Sequence, residues 1–409
     1  MNYVFISPNF PFSFVHFCER LRSNGCNVLG IGDASYDGLT DELKSALTEY
    51  YRVDTLEDYG AVYRAVAYYA FRYGRIDWIE SNNEYWLGLD AALREDFNVL
   101  TGVRPGDLAG WKSKSAMKPV YKAAGIPSAR SHRVTDTGSA LAFIDECGGY
   151  PVFAKPDIGV GASDTFRIDN EEDLKSFFTA AEGASYVMEE FVEGDIYSYD
   201  AIVDSHGNVL FESCFKCPNV AESVNDDQEV LYYVLPHIPE QLRERGRKAV
   251  EAFGVRSRFI HFEFFKLKKA RKGLGETGDF VGLEVNMRPA GGYTTDMINF
   301  AHSCDVYQIY ADMVTADRRL QPDNGRDRYC VFASRKDSHA HDTDDSVILE
   351  RYRDRIVMHG RMPDIFSAAM GNRMFVAVMD TFEEVEEYGR LILEDGYDEV
   401  MGIEVQDNK

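Results

Sequence analysis

The run Glu284-Val285-Asn286-Met287-Arg288-Pro289-Ala290-Gly291-Gly292 opens with charged or amide side chains alternating with apolar ones. A period of two belongs to a strand, because successive side chains leave a pleated backbone on opposite faces. Glu284, Asn286 and Arg288 therefore share one face, and Val285 and Met287 take the other. A second stretch, Phe259-Ile260-His261-Phe262-Glu263-Phe264-Phe265, puts Glu263 on the face opposite Phe262 and Phe264, and a polar Lys/Gly-rich connection joins the two. Paired as a hairpin, they bring two carboxylates and an amide oxygen together near a guanidinium. Such donors suit Mg²⁺, which takes one or two protein carboxylates and completes its shell with phosphate oxygens and water. A half-buried hairpin with its charges in solvent shows the same alternation, so the pattern alone specifies strands and leaves the chemistry open.

With 409 residues, 45% hydrophobic and 13% aromatic, the chain can build real cores in several folding units. Its net charge of -24 argues against a broad nucleic-acid or anionic-membrane surface, since such binding needs a cationic face. Any polyanion must meet a local cluster. The seven cysteines are scattered and odd in number, and Met1-Asn2-Tyr3 leads into a strand without a charged and apolar leader. The expectation is a reducing cytoplasm. Cys214 and Cys217 form a CxxC, yet no second pair or His pair sits at metal spacing. No apolar run approaches the roughly 20 residues of a membrane span, and no internal repeat is evident.

The first hundred residues alternate in the βα manner that produces a parallel sheet. Tyr3 to Ser7, Asn27 to Ile31 and Ile76 to Glu80 read as strands; Phe14 to Ser23, Asp58 to Tyr73 and Asn83 to Arg94 read as helices. Ser7-Pro8-Asn9-Phe10-Pro11 follows the first strand where a dinucleotide site would carry GxGxxG, which argues against such a site. This unit is expected to shape the substrate end of a cleft.

Residues 102 to 125 carry Lys112, Lys114, Lys118 and Lys122 on a helix stopped by Gly125 and Pro127. Taken alone, they read as a solvated face. Next, Gly149 to Pro156 reads as a strand with an inward-capable Lys155, followed by Asp157-Ile158-Gly159-Val160-Gly161-Ala162-Ser163-Asp164. Glycines at 159 and 161 let backbone N–H groups approach an anion, and a lysine ahead of them supplies a compact charge for phosphate oxygens. A tight hairpin turn is the alternative. Tyr186 to Gly194 reads as a strand running into a connection between lobes, able to offer backbone polar groups and apolar walls to a small molecule.

Lys114, Lys155 with the Gly159 to Ser163 loop, the Glu189 to Gly194 hinge, Glu263 and the Glu284/Asn286/Arg288 strand occur in an order that resembles the ATP-grasp superfamily of ligases, over about residues 100 to 380. The resemblance implies an α/β and α+β architecture: an ATP-grasp fold behind a Rossmann-like domain. Its divisions would be 1–101 for the preceding βα domain, 102–189 for the linker helix and small lobe, and 190–409 for the large lobe with its closing elements. It implies ATP between the lobes, with Lys114 and Lys155 on the phosphates, Gly159, Gly161, Ala162 and Ser163 in a flexible cover, and Glu189, Glu190 and Val192 bordering the adenine. Glu263, Glu284 and Asn286 would hold one or two Mg²⁺ ions, or Mn²⁺, and Arg288 would stabilise the transferring phosphoryl group.

The implied activity activates a substrate carboxylate as an acyl phosphate and joins it to an amine, releasing ADP and phosphate. Other chemistries of the superfamily, carboxylation or acyl transfer to a thiol, share the phosphate machinery, and a non-catalytic nucleotide-binding module is a further reading. The partners would be a small carboxylate and an amine, with neither nucleic acid nor membrane; a homodimer is common in the family. One departure concerns the ribose, since relatives often carry an acid two places after the hinge glycine and Gly194 is followed by Asp195 and Ile196. No role is assigned to the acid-rich Asn219 to Glu229. Toward the end, Tyr329 to Ala333 and Phe375 to Val378 read as strands, Thr381 with Glu384 as a capping box, and Asp342 to Asp345 as a solvated loop. Asn82, Asn83 and Glu84 are the nearest candidates for substrate specificity.

Overall fold

The computed structural model describes residues 1–159, 165–181, 185–217, 228–323 and 325–401. Strands β1 (Asn2–Ile6), β2 (Asn27–Gly32), β3 (Glu49–Arg52) and β4 (Trp78–Glu80) form a parallel sheet in the order β3-β2-β1-β4. Its faces are both covered, as parallel sheets require: Val4 and Ile6 pack with Val62, Val66 and Tyr69, while Tyr3 and Phe5 pack with Phe17 and Tyr310. Strand β1 lies between β2 and β4, so the direction of strand addition reverses there. The loops leaving β1 and β4 therefore diverge, the topology that opens a ligand-holding crevice in open α/β sheets.

Sequence reading passes over β3 and the helix Asp41–Ala46. Glu49-Tyr50-Tyr51-Arg52 is an edge strand with no apolar run to announce it. The helix Leu87–Asp96 also begins later than Asn83, because turns occupy Glu84 to Trp86 and Asn82 adopts φ 53°.

A small antiparallel sheet contains β5 (Ser131–Val134), β6 (Val152–Pro156), β7 (Phe166–Ile168) and β8 (Tyr186–Glu190), ordered β5-β8-β6-β7. The large sheet contains β9 (Gly194–Val203), β10 (Val209–Ser213), β11 (Phe215–Cys217), β12 (Leu231–Val234), β13 (Arg258–Leu267), β14 (Phe280–Asn286), β15 (Tyr329–Arg335), β16 (Ile356–Arg361) and β17 (Arg373–Met379). Its order is β14-β13-β9-β11-β12-β15-β17-β16, with β10 beside β9. One face buries Tyr199, Phe262, Phe264 and Val285 with Leu242 and Ala249 of the helix Glu240–Ala252 and Met117 and Tyr121 of the helix Lys114–Ala123.

Two local readings near the C-terminus need correction. Thr381 does cap its helix, accepting from the Glu384 N–H at 3.3 Å, but Glu384 reaches back to the Asp380 N–H at 2.7 Å, one residue before a capping box would close. Asp345 is no solvated loop residue, because it pairs with fully buried Arg335 at 2.9 Å and with Arg373 at 2.7 Å. Among the described residues no helix is long and apolar enough to cross a membrane, and the seven cysteines are free.

Candidate active site

Strand β13 pairs along its whole length with β9 and, on its other side, with β14. The ladder puts Ser198, Glu263 and Glu284 in one row and Asp200, His261 and Asn286 in the next. Alternation sends all six side chains to one face. A register shift after Glu263 leaves Leu283 as an extra residue, and both Leu283 and Glu284 line the cavity above the sheet. Such a bulge re-aims side chains locally.

Glu263 and Glu284 stand directly opposite each other, a placement that costs stability unless positive charge intervenes. Lys114 supplies it to Glu284 at 3.2 Å, and His261 Nε2 meets Glu263 Oε1 at 3.1 Å. The other ring nitrogen, Nδ1, lies 3.0 Å from Asp200. Burial alone would lower the pKa of His261; Asp200 and then Glu263 outweigh it and push it up to about 9, so the ring is a cation donating to both carboxylates. For Glu263 burial works upward and is overcome by His261, with Arg288 and Lys155 adding to the lowering. Among the described residues no three His, Cys, Asp or Glu side chains are placed to hold a metal. Two facing carboxylates and an amide oxygen nevertheless fit Mg²⁺, which draws most of its shell from phosphate and water.

The lysines reach this face through Asp157. Its carboxylate accepts from Ser113 Oγ at 3.0 Å and the Ser115 N–H at 2.9 Å, and its carbonyl accepts from the Lys114 N–H at 2.9 Å. The helix bearing Lys114 thus starts beside the end of β6, which bears Lys155. It also lies close on β14: a side-chain carbon at Gly282 would sit 2.7 Å from the Tyr121 ring. Lys118, one turn after Lys114, shares its face. Far from being solvated, Lys118 pairs with Glu189, and Lys155 meets the same carboxylate at 3.1 Å. Burial would raise the pKa of Glu189, yet Lys118 and Lys155 hold it down at about 2.

One cavity of about 600 Å³ lies between the small and large sheets. Lys114, Lys155, Gly159, Glu189, Glu190, Val192, Glu263, Glu284, Asn286 and Arg288 all lie on its wall. Gly161, Ala162 and Ser163 lie outside the described residues. Phe153, Val192, Ile196, Phe265 and Leu283 add apolar surface to the charged residues of the wall. Glu190 contributes differently from Glu189: its carboxylate is consumed by the Arg130 guanidinium at 2.8 Å and Arg271 at 2.9 Å. Asp195, the acid that directly follows the hinge glycine, is held by Lys216 at 3.0 Å and Lys268 at 3.2 Å, whereas Glu193 lines the cavity. Sequence reasoning assigns no role to His261 or Asp200 and takes Lys118 as part of a solvated face. A period-two polar pattern extending to His261 and the four-residue lysine spacing were the available signals.

No family model matches the sequence. The C-terminal section of the carbamoyl phosphate synthase large chain from Methanopyrus kandleri is 26% identical over 145 residues, which is 34% of this chain and 26% of that protein. The chain therefore matches about a quarter of that relative's length. The L-amino acid ligase from Bacillus licheniformis superposes with a TM-score of 0.71 at 18% identity, over 97% of both chains. The biotin carboxylase domain dimer of Hydrogenobacter thermophilus 2-oxoglutarate carboxylase, solved with MgADP, ADP and bicarbonate, gives 0.66 at 16% identity over 96% of this chain and 89% of that one. At these identities the likeness is one of fold. From its parallel N-terminal sheet through both antiparallel sheets, the chain has the ATP-grasp fold.

Proposed function

We propose that this chain is an ATP- and Mg²⁺-dependent ligase that activates a carboxylate as an acyl phosphate and joins it to an amine. The observation carrying the reading is the convergence of Lys114, Lys155, Glu263, Glu284, Asn286 and Arg288 on one cavity. Its apolar side chains suit a purine and its charged ones a triphosphate. Bound Mg²⁺, held by Glu263, Glu284 and Asn286, would neutralise charge on the β- and γ-phosphate oxygens. Lys114 and Lys155 exchange their resident carboxylates for phosphate oxygens, and Arg288 faces the group in transfer. A substrate carboxylate oxygen attacks the γ-phosphorus and the bond to the ADP oxygen breaks. The amine then attacks the acyl carbon, loses a proton and expels inorganic phosphate. Little more than positioning and electrostatics is needed for the phosphoryl step.

Glu84 supports a narrower statement about the acid. It is buried, and one of its carboxylate oxygens has no partner. Burial raises its pKa and Arg288 opposes the rise, which places the two groups within electrostatic reach. An acid that also carries an ammonium group, as amino acids do, would complete that carboxylate, and the L-amino acid ligase with the same fold bears a name of that class. ADP release measured across the standard amino acids and their deaminated analogues tests both statements, with product masses separating amide from carboxylated product. Arg288→Ala should lose turnover roughly a hundred- to a thousandfold while ATP binding changes far less. An active Arg288→Ala enzyme would refute the assignment.

A further inference from the structure

We infer that Arg258 is the positioning residue for Arg288, fixed in turn by Glu80 of the N-terminal sheet. This rests on the role proposed for Arg288 and adds what holds its strand. Arg258 opens β13 and is 1% exposed. Its two terminal nitrogens serve different parts of the molecule. Nη1 donates to the carbonyl of Met287, the residue before Arg288, at 2.6 Å, and Nη2 donates to the Glu80 carboxylate at the end of β4. The β13–β14 ladder ends with the pair His261 and Asn286. The guanidinium therefore takes over where ladder hydrogen bonding stops, one residue short of Arg288.

Glu80 is itself immobilised. Arg94 donates to it at 2.7 Å and to the carbonyls of Ile79 at 2.9 Å and Val103 at 3.2 Å, and the Asn82 N–H reaches its other oxygen at 3.3 Å. Gly102 permits this packing, since a side-chain carbon there would lie 2.8 Å from Arg94 Cζ. Trp111 lies 5.5 Å from the Arg258 guanidinium and is fixed through its Nε1–H to the Phe253 carbonyl at 2.9 Å.

Burying this charge is costly, and apolar groups of similar volume often serve stability as well. What a planar guanidinium adds is a set distance between a carboxylate on one sheet and a carbonyl on another. Arg288 donates to the carbonyl of its own neighbour Pro289 at 2.9 Å, so its direction follows the backbone of that turn. The turn is thereby referenced to the end of β4, on the crevice side of the N-terminal sheet. A displacement of about 1 Å at a reacting group costs on the order of a hundredfold in rate.

The test compares Arg258→Lys, whose single ammonium cannot span both acceptors, with Arg335→Lys, an equally buried arginine outside this network that donates to the Ile392 and Thr343 carbonyls and to Asp345. Initial rates of ADP release from MgATP are measured on the full chain with a mixture of the twenty standard amino acids and as basal hydrolysis, alongside thermal midpoints. Arg258→Lys should lose roughly ten- to a hundredfold in kcat with the KM for MgATP nearly unchanged, and Arg335→Lys should keep its kcat at a comparable loss of thermal midpoint. A wild-type kcat in Arg258→Lys, or an equal fall in both variants, overturns the inference. Should Arg258→Lys not fold, Glu80→Gln gives the same readout, a lowered kcat at unchanged KM supporting the inference and an unchanged kcat overturning it. A fully active Arg288→Ala enzyme would instead remove the proposed function on which this rests.

Discussion

Two buried clusters in this chain share one formula, a glutamate between two cations, and differ in what the cations also hold. Glu189 sits between Lys118 and Lys155 on the wall of an open cavity. Glu80 sits between Arg94 and Arg258, which also donate to the carbonyls of Ile79, Val103 and Met287. Lysine is a point charge on a flexible stem and can change partner; arginine bound to a carboxylate and to backbone is a strut. Under the proposed function, the first cluster supplies cations to a bound anion. The second sets distances between sheets.

Breaking the strut should give the largest effect on stability. Glu80→Ala leaves two buried guanidinium groups without their carboxylate and should cost about 3–5 kcal/mol in denaturant unfolding. A loss below about 1 kcal/mol, the range of exposed pairs, would erase the contrast. Lys155→Met should behave oppositely. Glu189 keeps Lys118, so stability should change little, while loss of a charged contact worth roughly 1.5–3 kcal/mol weakens MgATP binding about ten- to a hundredfold. Unaltered nucleotide affinity would remove Lys155 from the phosphate site.

Titration sharpens the comparison further. The folded pKa of Glu189 is lowered from 4.5 to about 2, so its pairing stabilises the protein fully above about pH 4.5 and is lost as pH falls through 2. Asp90, beside the second cluster, is raised from 3.8 to about 7, first by burial and then by Glu80. It therefore destabilises the fold increasingly as pH rises from 3.8 toward 7. The stability deficit of Glu189→Gln should shrink on acidification below pH 4.5, while Asp90→Asn should gain on wild type between pH 4 and 7. Thermal midpoints that run parallel to wild type across those ranges would contradict both assignments.

The parts of the fold legible in the sequence are those with strong periodicity. Helix Phe14–Ser23 falls on its predicted residues and β13 and β14 pair as a hairpin, because each carries a run of alternating or helically spaced apolar residues. Edge strand β3 has no such run and went unseen. In the site, carboxylates on a strand announce themselves by alternation, and the lysines of one helix look solvated until Asp157 and Gly282 seat that helix against the sheet. Arg258 carries no local signal at all. Its partners Glu80 and Met287 lie 178 and 29 residues away, and only the assembled sheets bring them into reach.

The most direct measurement is calorimetric titration of the full chain with ATP, with Mg²⁺ present and with the metal chelated, for wild type and Glu284→Gln. Saturable uptake of a single nucleotide, weakened by chelation and requiring far more Mg²⁺ in Glu284→Gln, is the predicted result. Absence of ATP uptake by the wild type, or the same metal dependence in both proteins, would contradict the convergence of these residues on a magnesium nucleotide.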